Sequence, residues 1–206
     1  MFRFKRATCV AVGTFNIYVI QPAWLAEIGI IPKSTQVEIY SDLTEPGFRF
    51  TSSKLNSRWV ITPNRIHVET DDPEKDCGAD MAKVLGHLPW TPLVALGNNT
   101  TYLAPRDEIA GLPLLAAIDP LVPEGFDFVQ KTVHLGLKQG ETLFNLQVAA
   151  TEDELELSCN AHTELKGRSS DFARESAQRF FEVRETAQTL ITTLFQASVA
   201  DVSDNH

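Results

Sequence analysis

FVQKTVHLGLK at residues 128–138, ETLFNLQVAA at 141–150 and ELELSCNAH at 154–162 are the stretches that decide the fold of this chain. In each one, apolar and polar residues alternate, which is typical of a β-strand with one buried face. The breaks at 139–140 and 151–153 are short and polar, and their residues favour turns. The three stretches therefore predict an antiparallel three-stranded meander.

A long amphipathic segment follows the meander. No Gly or Pro occurs after Ser170, Ser169 or Ser170 can cap a first helical turn, and Asp171 suits the positive end of a helix. Apolar residues then recur at three- and four-residue steps: Phe172, Ala173, Ala177, Phe180, Ala187, Ile191 and Leu194. We expect one long C-terminal helix that covers the apolar face of the meander. The predicted fold class is therefore α+β, with a largely antiparallel sheet.

The length of 206 residues and the hydrophobic content of 43% allow a sizeable core. We predict a strand-rich N-terminal half with short helices at 1–104, a Pro-rich packed connection at 105–125, and the meander with its helix at 126–200. These parts are expected to form one compact domain or two closely packed halves.

The charge of the chain is acidic and unevenly distributed. The net charge is −9, and residues 1–104 carry ten basic and ten acidic side chains against eight and seventeen in 105–206. Such a surface repels nucleic acid and anionic membranes. We therefore expect neither general nucleic-acid binding nor membrane binding.

The N-terminal sequence bears on the cellular location. The apolar run Ala7–Val12 follows a short basic cluster, but strand-like residues 15–18 come next instead of a small-residue cleavage site. Polar residues interrupt the apolar segment 8–31, which argues against a membrane span. The three cysteines do not have the number or spacing of a disulfide framework. These observations predict a cytoplasmic protein.

No motif specifies a cofactor or a metal. The acidic loop Asp72–Gly78 has Cys77 and Lys83 where a calcium loop needs Gly and Glu, so we interpret it as a solvated loop that caps the next helix. His67, Cys77 and His87 are zinc-ligand types without zinc-ligand spacing. A glycine-rich nucleotide loop is also missing. We predict no cofactor and no metal.

Catalytic residues cannot be assigned from the sequence. Cys77 lacks the local surroundings of a known nucleophile. A dispersed site of carboxylates and histidines remains as one hypothesis, with these candidates: Glu69, His67, His134 and His162.

Two segments have the composition of a recognition surface. In residues 88–93 two prolines flank Trp90, a large anchor, and residues 97–102 are rich in amides. The alternative is a connection in which Trp90 closes the core. The long helix also has a broad apolar face, which predicts a second surface to bury. The candidate ligand or partner contacts are Trp90, Asn98, Asn99, Tyr102, Phe181 and Phe195.

Three functional hypotheses follow. The first is a non-enzymatic protein that acts by association through its C-terminal helix, as a homo-oligomer or as an accessory subunit of a larger complex. The second is a module that binds a small apolar ligand between sheet and helix; its predicted element order resembles that of helix-grip folds. The third is an enzyme of unknown reaction. The first is our prediction.

Overall fold

The computed structural model describes residues 1–34, 37–41, 46–52, 56–109, 130–151, 153–196 and 198–200. The described elements are, in chain order, β1 (Phe2–Gly13), α1 (Pro22–Glu27), β2 (Val37–Ser41), β3 (Pro46–Ser52), β4 (Ser57–Ile61), β5 (Arg65–Thr70), α2 (Cys77–Gly86), β6 (Leu93–Pro105), a 3-10 turn (Asp107–Ile109), β7 (Lys131–Gln139), β8 (Thr142–Ala150), β9 (Glu154–Glu164), α3 (Ser170–Gln178), α4 (Phe180–Phe195) and β10 (Val199–Ala200).

All ten strands of the described residues belong to one sheet. Its order is β2-β3-β4-β5-β1-β6-β9-β8-β7, every neighbouring pair on this path is antiparallel, and β10 adds to β1 in parallel. The predicted α+β class is confirmed as a large antiparallel sheet with several helices. β6 and β9 are hydrogen-bonded neighbours although β7 and β8 come between them in the sequence. Most of the connection predicted at 105–125 lies outside the described residues.

Strands β7, β8 and β9 pair consecutively. The two-residue turn between β7 and β8 contains Gly140 at φ +57°, a conformation that glycine adopts without steric cost. Phe144, Leu146 and Val148 are buried, whereas Asn145 and Gln147 between them are exposed. The period of two read from the sequence therefore separates a covered face from an open one.

Two helices, and not the predicted single helix, follow the meander. α3 begins after Ser169, whose side chain accepts a hydrogen bond from Phe172 N. It ends at Gln178, and α4 begins at Phe180, so Arg179 alone separates the two helices. The break has no Gly or Pro to mark it in the sequence. It lies where α2 packs so closely that Gly78 touches Ala177 and Phe180. We therefore attribute the interruption of the helix to this tertiary contact with α2.

The helices cover one face of the sheet. Phe180, Ala187 and Ile191 of α4 are buried, and the ring of Phe195 contacts the ring of Phe2 edge-on at 6.3 Å. Phe4 and Tyr102, paired across β1 and β6, point to the same side. We call this side the helix face and the opposite side the outer face.

The chain after β1 differs from the prediction. Residues 15–18 are strand-like in sequence, but they belong to a turn in which Val19 N and Ile20 N both donate to Asn16 O. The Asn16 side chain also accepts from Tyr18 N. Asparagine favours such local hydrogen bonds over a strand ladder. In the described part of the chain, no helix has the length and apolar character needed to cross a membrane.

Candidate functional site

The outer face of the sheet has two straight rows of polar side chains, and each row crosses neighbouring strands in register. The first row consists of Glu69, Thr8, Asn99, Asn160 and Asn145. The second row consists of Arg6, Thr101, Ser158, Gln147 and His134. Side chains that are directly opposite on neighbouring antiparallel strands are close enough to act together. The two rows therefore form one continuous polar surface.

These rows line a cavity of about 630 Å³, which we call the polar trough. It extends from His67 on β5 to His134 on β7, which are five strand spacings apart in the sheet order. At about 4.8 Å per spacing, the trough is roughly 24 Å long. Such a volume spread over this length describes a shallow, elongated site.

Charged groups are concentrated at the β5 end of the trough. Glu69 accepts an ion-paired hydrogen bond from Arg58 at 2.9 Å, and its second oxygen lies 4.0 Å from His67 Nε2. Arg6 lines the same end. The middle of the trough is uncharged, because threonine, serine and asparagine occupy it.

His67 is held neutral by its surroundings. Burial lowers its pKa below the usual value; Glu69 opposes this shift, and the positive charges of Arg65 and Arg6 add to it. Its Nε2 atom is buried and has no hydrogen-bond partner among the described residues. The neutral imidazole is therefore the favoured form of His67 at this end of the trough.

A second orphaned atom lies in the first polar row. Asn99 donates from its side-chain nitrogen to Thr8 Oγ1 at 2.8 Å, but its Oδ1 is buried without a partner in the described part of the chain. Leaving a buried polar atom unpaired costs about 1–3 kcal/mol. An ordered water or another donor would remove this cost.

The sequence anticipated part of this site. Asn99 was a candidate contact, and His67, Glu69 and His134 were candidates for a dispersed enzyme site; all four line the trough. His162 does not. The remaining polar side chains of the trough were missed: Arg6, Thr8, Thr101, Asn145, Gln147, Ser158 and Asn160. The signal for them was a polar residue at every second strand position, but only the strand order aligns these positions in rows.

Trp90 is in a different place, at the tip of the connection between α2 and β6. Its side chain is 93% exposed, so the alternative in which Trp90 closes the core is wrong. The connection is anchored, since Thr91 N donates to Leu88 O and Thr14 N donates to Pro92 O. We call residues 88–92 the Trp90 loop.

The surroundings of the Trp90 loop are mostly apolar, although Lys166 and Arg168 also line them. A cleft of about 530 Å³ separates it from residues 165–170, and its walls include Val94, Leu165 and Ala173. Tyr18, 82% exposed, belongs to the segment that follows Thr14 and so lies at the same end of the sheet. Two large exposed aromatic rings therefore occur at one end of the molecule.

The other candidate contacts lie neither in the polar trough nor at the Trp90 loop. Asn98 and Tyr102 are buried on the helix face. Phe181 is half-buried beside Phe180, and Phe195 is only 1% exposed. The six candidates are therefore distributed over three regions: the trough, the Trp90 loop and the core beneath the helices.

The space between sheet and helices is largely filled by side chains of the core. A cleft of about 350 Å³ opens between the β7–β8 turn and the helices. Phe144, Phe172 and Val183 contribute to it, but most of its walls are polar: Gln139, Glu141, Thr142, Thr163, Ser176, Arg179, Glu182 and Thr186. This composition does not favour an apolar ligand.

The cysteines are poor nucleophiles. All three are buried free thiols. Burial is the main cause of a raised pKa in each of them: the pKa of Cys9 lies well above its usual value, and the pKa values of Cys77 and Cys159 are raised to about 12. They are therefore protonated at neutral pH.

The acidic loop has a structural role. Asp76 caps α2 by accepting from Ala79 N, and Asp72 accepts from Asn56 and from Glu74 N, which lowers the pKa of Asp72. No group of three or more His, Cys, Asp or Glu side chains suited to a metal occurs within the described residues, and His67, Cys77 and His87 do not form one.

Comparison with known proteins identifies no family, because no protein-family model and no curated protein matches the chain.

Proposed function

We propose that this protein acts by binding another protein, either a second copy of itself or a subunit of a larger complex, and that Trp90 is the central contact. One observation carries the proposal: a tryptophan that is 93% exposed at the tip of an anchored loop. Tryptophan is among the residues that contribute most to binding energy at protein interfaces.

The energy available from this residue is large. A buried tryptophan removes about 150–250 Å² from water, which corresponds to about 4–6 kcal/mol at 25 cal/mol/Å². The loop is already held by Thr91 and Pro92, so little conformational entropy is lost on binding. The adjacent cleft offers a recess for an apolar side chain of the partner.

The C-terminal helix supports the proposal less than the loop does. Its apolar row packs on its own sheet, and its outward side chains include Glu182, Glu185 and Thr189. Leu194 is its most exposed large apolar residue. We therefore move the proposed contact from the helix to the Trp90 loop.

Native mass spectrometry of the full chain tests this proposal. If the partner is a second copy, the wild type should give a multiple of the 22.9 kDa chain mass, Trp90→Ala should give the single chain, and Leu194→Ala should behave as wild type. Both residues are exposed, so both variants should keep the stability of the wild type within about 0.5 kcal/mol.

If the wild type is a single chain, the same variants serve as baits in quantitative affinity capture from the native host. A partner retained by the wild type and by Leu194→Ala, but lost by Trp90→Ala, would support the proposal. Loss with Leu194→Ala alone would place the contact on the helix and refute the role of Trp90. Equal capture by all three baits, or none, would refute association through either surface.

A further inference from the structure

We propose that the polar trough binds a neutral, extended, polyhydroxylated chain, an oligosaccharide, across strands β5 to β7. This inference goes beyond the proposed protein association and does not depend on it, because no trough residue belongs to the Trp90 loop.

The shape of the trough favours an elongated ligand. Its two rows run perpendicular to the strands for roughly 24 Å. Glycine at position 136 of β7 continues the first row after Asn145 without adding a side chain. Gly97 likewise presents no side chain to this face, and the amides of Asn99 and Asn160 lie 3.7–4.0 Å from the position that a Cβ atom would take. The rows therefore form a floor for an extended molecule instead of a closed pocket for a compact one.

The chemistry of the floor favours hydroxyl groups. Side-chain amides and hydroxyls each offer a donor and an acceptor, and a ligand hydroxyl can pair with either. In the middle of the trough these are Thr8, Thr101, Ser158, Asn99, Asn160, Asn145 and Gln147.

The charge balance favours a neutral ligand. Arg6 and Glu69 carry opposite charges, and His67 is neutral because burial lowers its pKa. An anionic chain would lie against Glu69, and a cationic one against Arg6. An extended peptide would need recesses for its apolar side chains, whereas polar side chains make up most of this floor.

An NMR titration of the isotope-labelled full chain tests the inference, with maltotetraose, cellotetraose, xylotetraose and tetra-N-acetylchitotetraose as neutral probes and tetraglycine as the peptide probe. At least one tetrasaccharide at millimolar concentration should shift the side-chain amide signals of Asn99, Asn145, Gln147 and Asn160. Tetraglycine should leave these signals unchanged.

Gln147→Leu and Gln178→Leu form a matched pair, because both glutamines are exposed and only Gln147 lines the trough. Loss of one or two hydrogen bonds should weaken saccharide binding about three- to tenfold in Gln147→Leu. Gln178→Leu should bind as the wild type does. The inference is overturned if no tetrasaccharide shifts the trough signals, if only tetraglycine does, or if the two variants bind equally.

Discussion

Gly78→Ala tests the helix packing that interrupts the C-terminal helix. Gly78 is the second residue of α2 and is buried. A Cβ atom at this position would come closer than 3.0 Å to Ala177 O and to Phe180 Cβ. The optimum separation of such atoms is about 3.5–4.0 Å, so α2 would have to move by roughly 1 Å.

The expected cost follows from two opposing effects. Overpacking of a core typically costs about 1–3 kcal/mol, and the contact with a backbone carbonyl places Gly78→Ala at the upper end. Alanine is better than glycine in a helix by about 1 kcal/mol. We therefore expect the free energy of unfolding to fall by about 2 kcal/mol, measured by equilibrium urea denaturation.

Gly86→Ala is the control in the same helix. An added Cβ there meets only Arg174 Cδ, at an ordinary 3.7 Å. Its helix propensity should raise the free energy of unfolding by about 0.5–1 kcal/mol. The reasoning is refuted if Gly78→Ala is as stable as the wild type, or if the two variants change stability in the same direction.

Two further predictions concern the buried side chain of Arg184 and the protonation of His67. Arg184, 6% exposed, donates to Pro73 O at 2.5 Å and lies over the Phe4 ring, so Arg184→Met should lower the free energy of unfolding by about 2 kcal/mol. The control Arg174→Met removes an exposed ion pair and should change it by less than about 0.5 kcal/mol. Equal effects of the two variants in urea denaturation would contradict this prediction. Because burial lowers the pKa of His67, the unfolded chain binds more protons than the folded chain below about pH 6.5. The free energy of unfolding should therefore decline as the pH falls below that value, and His67→Gln should weaken this pH dependence. An NMR titration midpoint of His67 at or above about 6.5 would contradict this prediction.

The sequence alone predicted most of the local structure. Alternation in 128–138, 141–150 and 154–162 identified strands that the structure places as β7, β8 and β9. The helix predicted after the acidic loop is present as α2, and Asp76 of that loop caps it. These features are local, because they depend on residues a few positions apart.

The candidate site was only partly predictable, as Asn98 and Asn99 show. They are adjacent in the sequence and equally polar, yet Asn98 is buried on the helix face and Asn99 lies in the trough. Alternation shows that they point to opposite sides, but not which side the helices cover. Trp90 presents the same difficulty, since its neighbouring prolines are compatible with a buried or an exposed ring.

The sequence by itself therefore determined the strands, the turns, the helix caps and the acidic charge of this protein. Only the tertiary structure decided that β1 lies between β5 and β6, that α2 interrupts the C-terminal helix at Arg179, and that two polar rows align across strands. The physical reason is distance along the chain: Thr8, Asn99 and Asn160 become neighbours through pairing over many residues. Local propensity carries no information about that pairing.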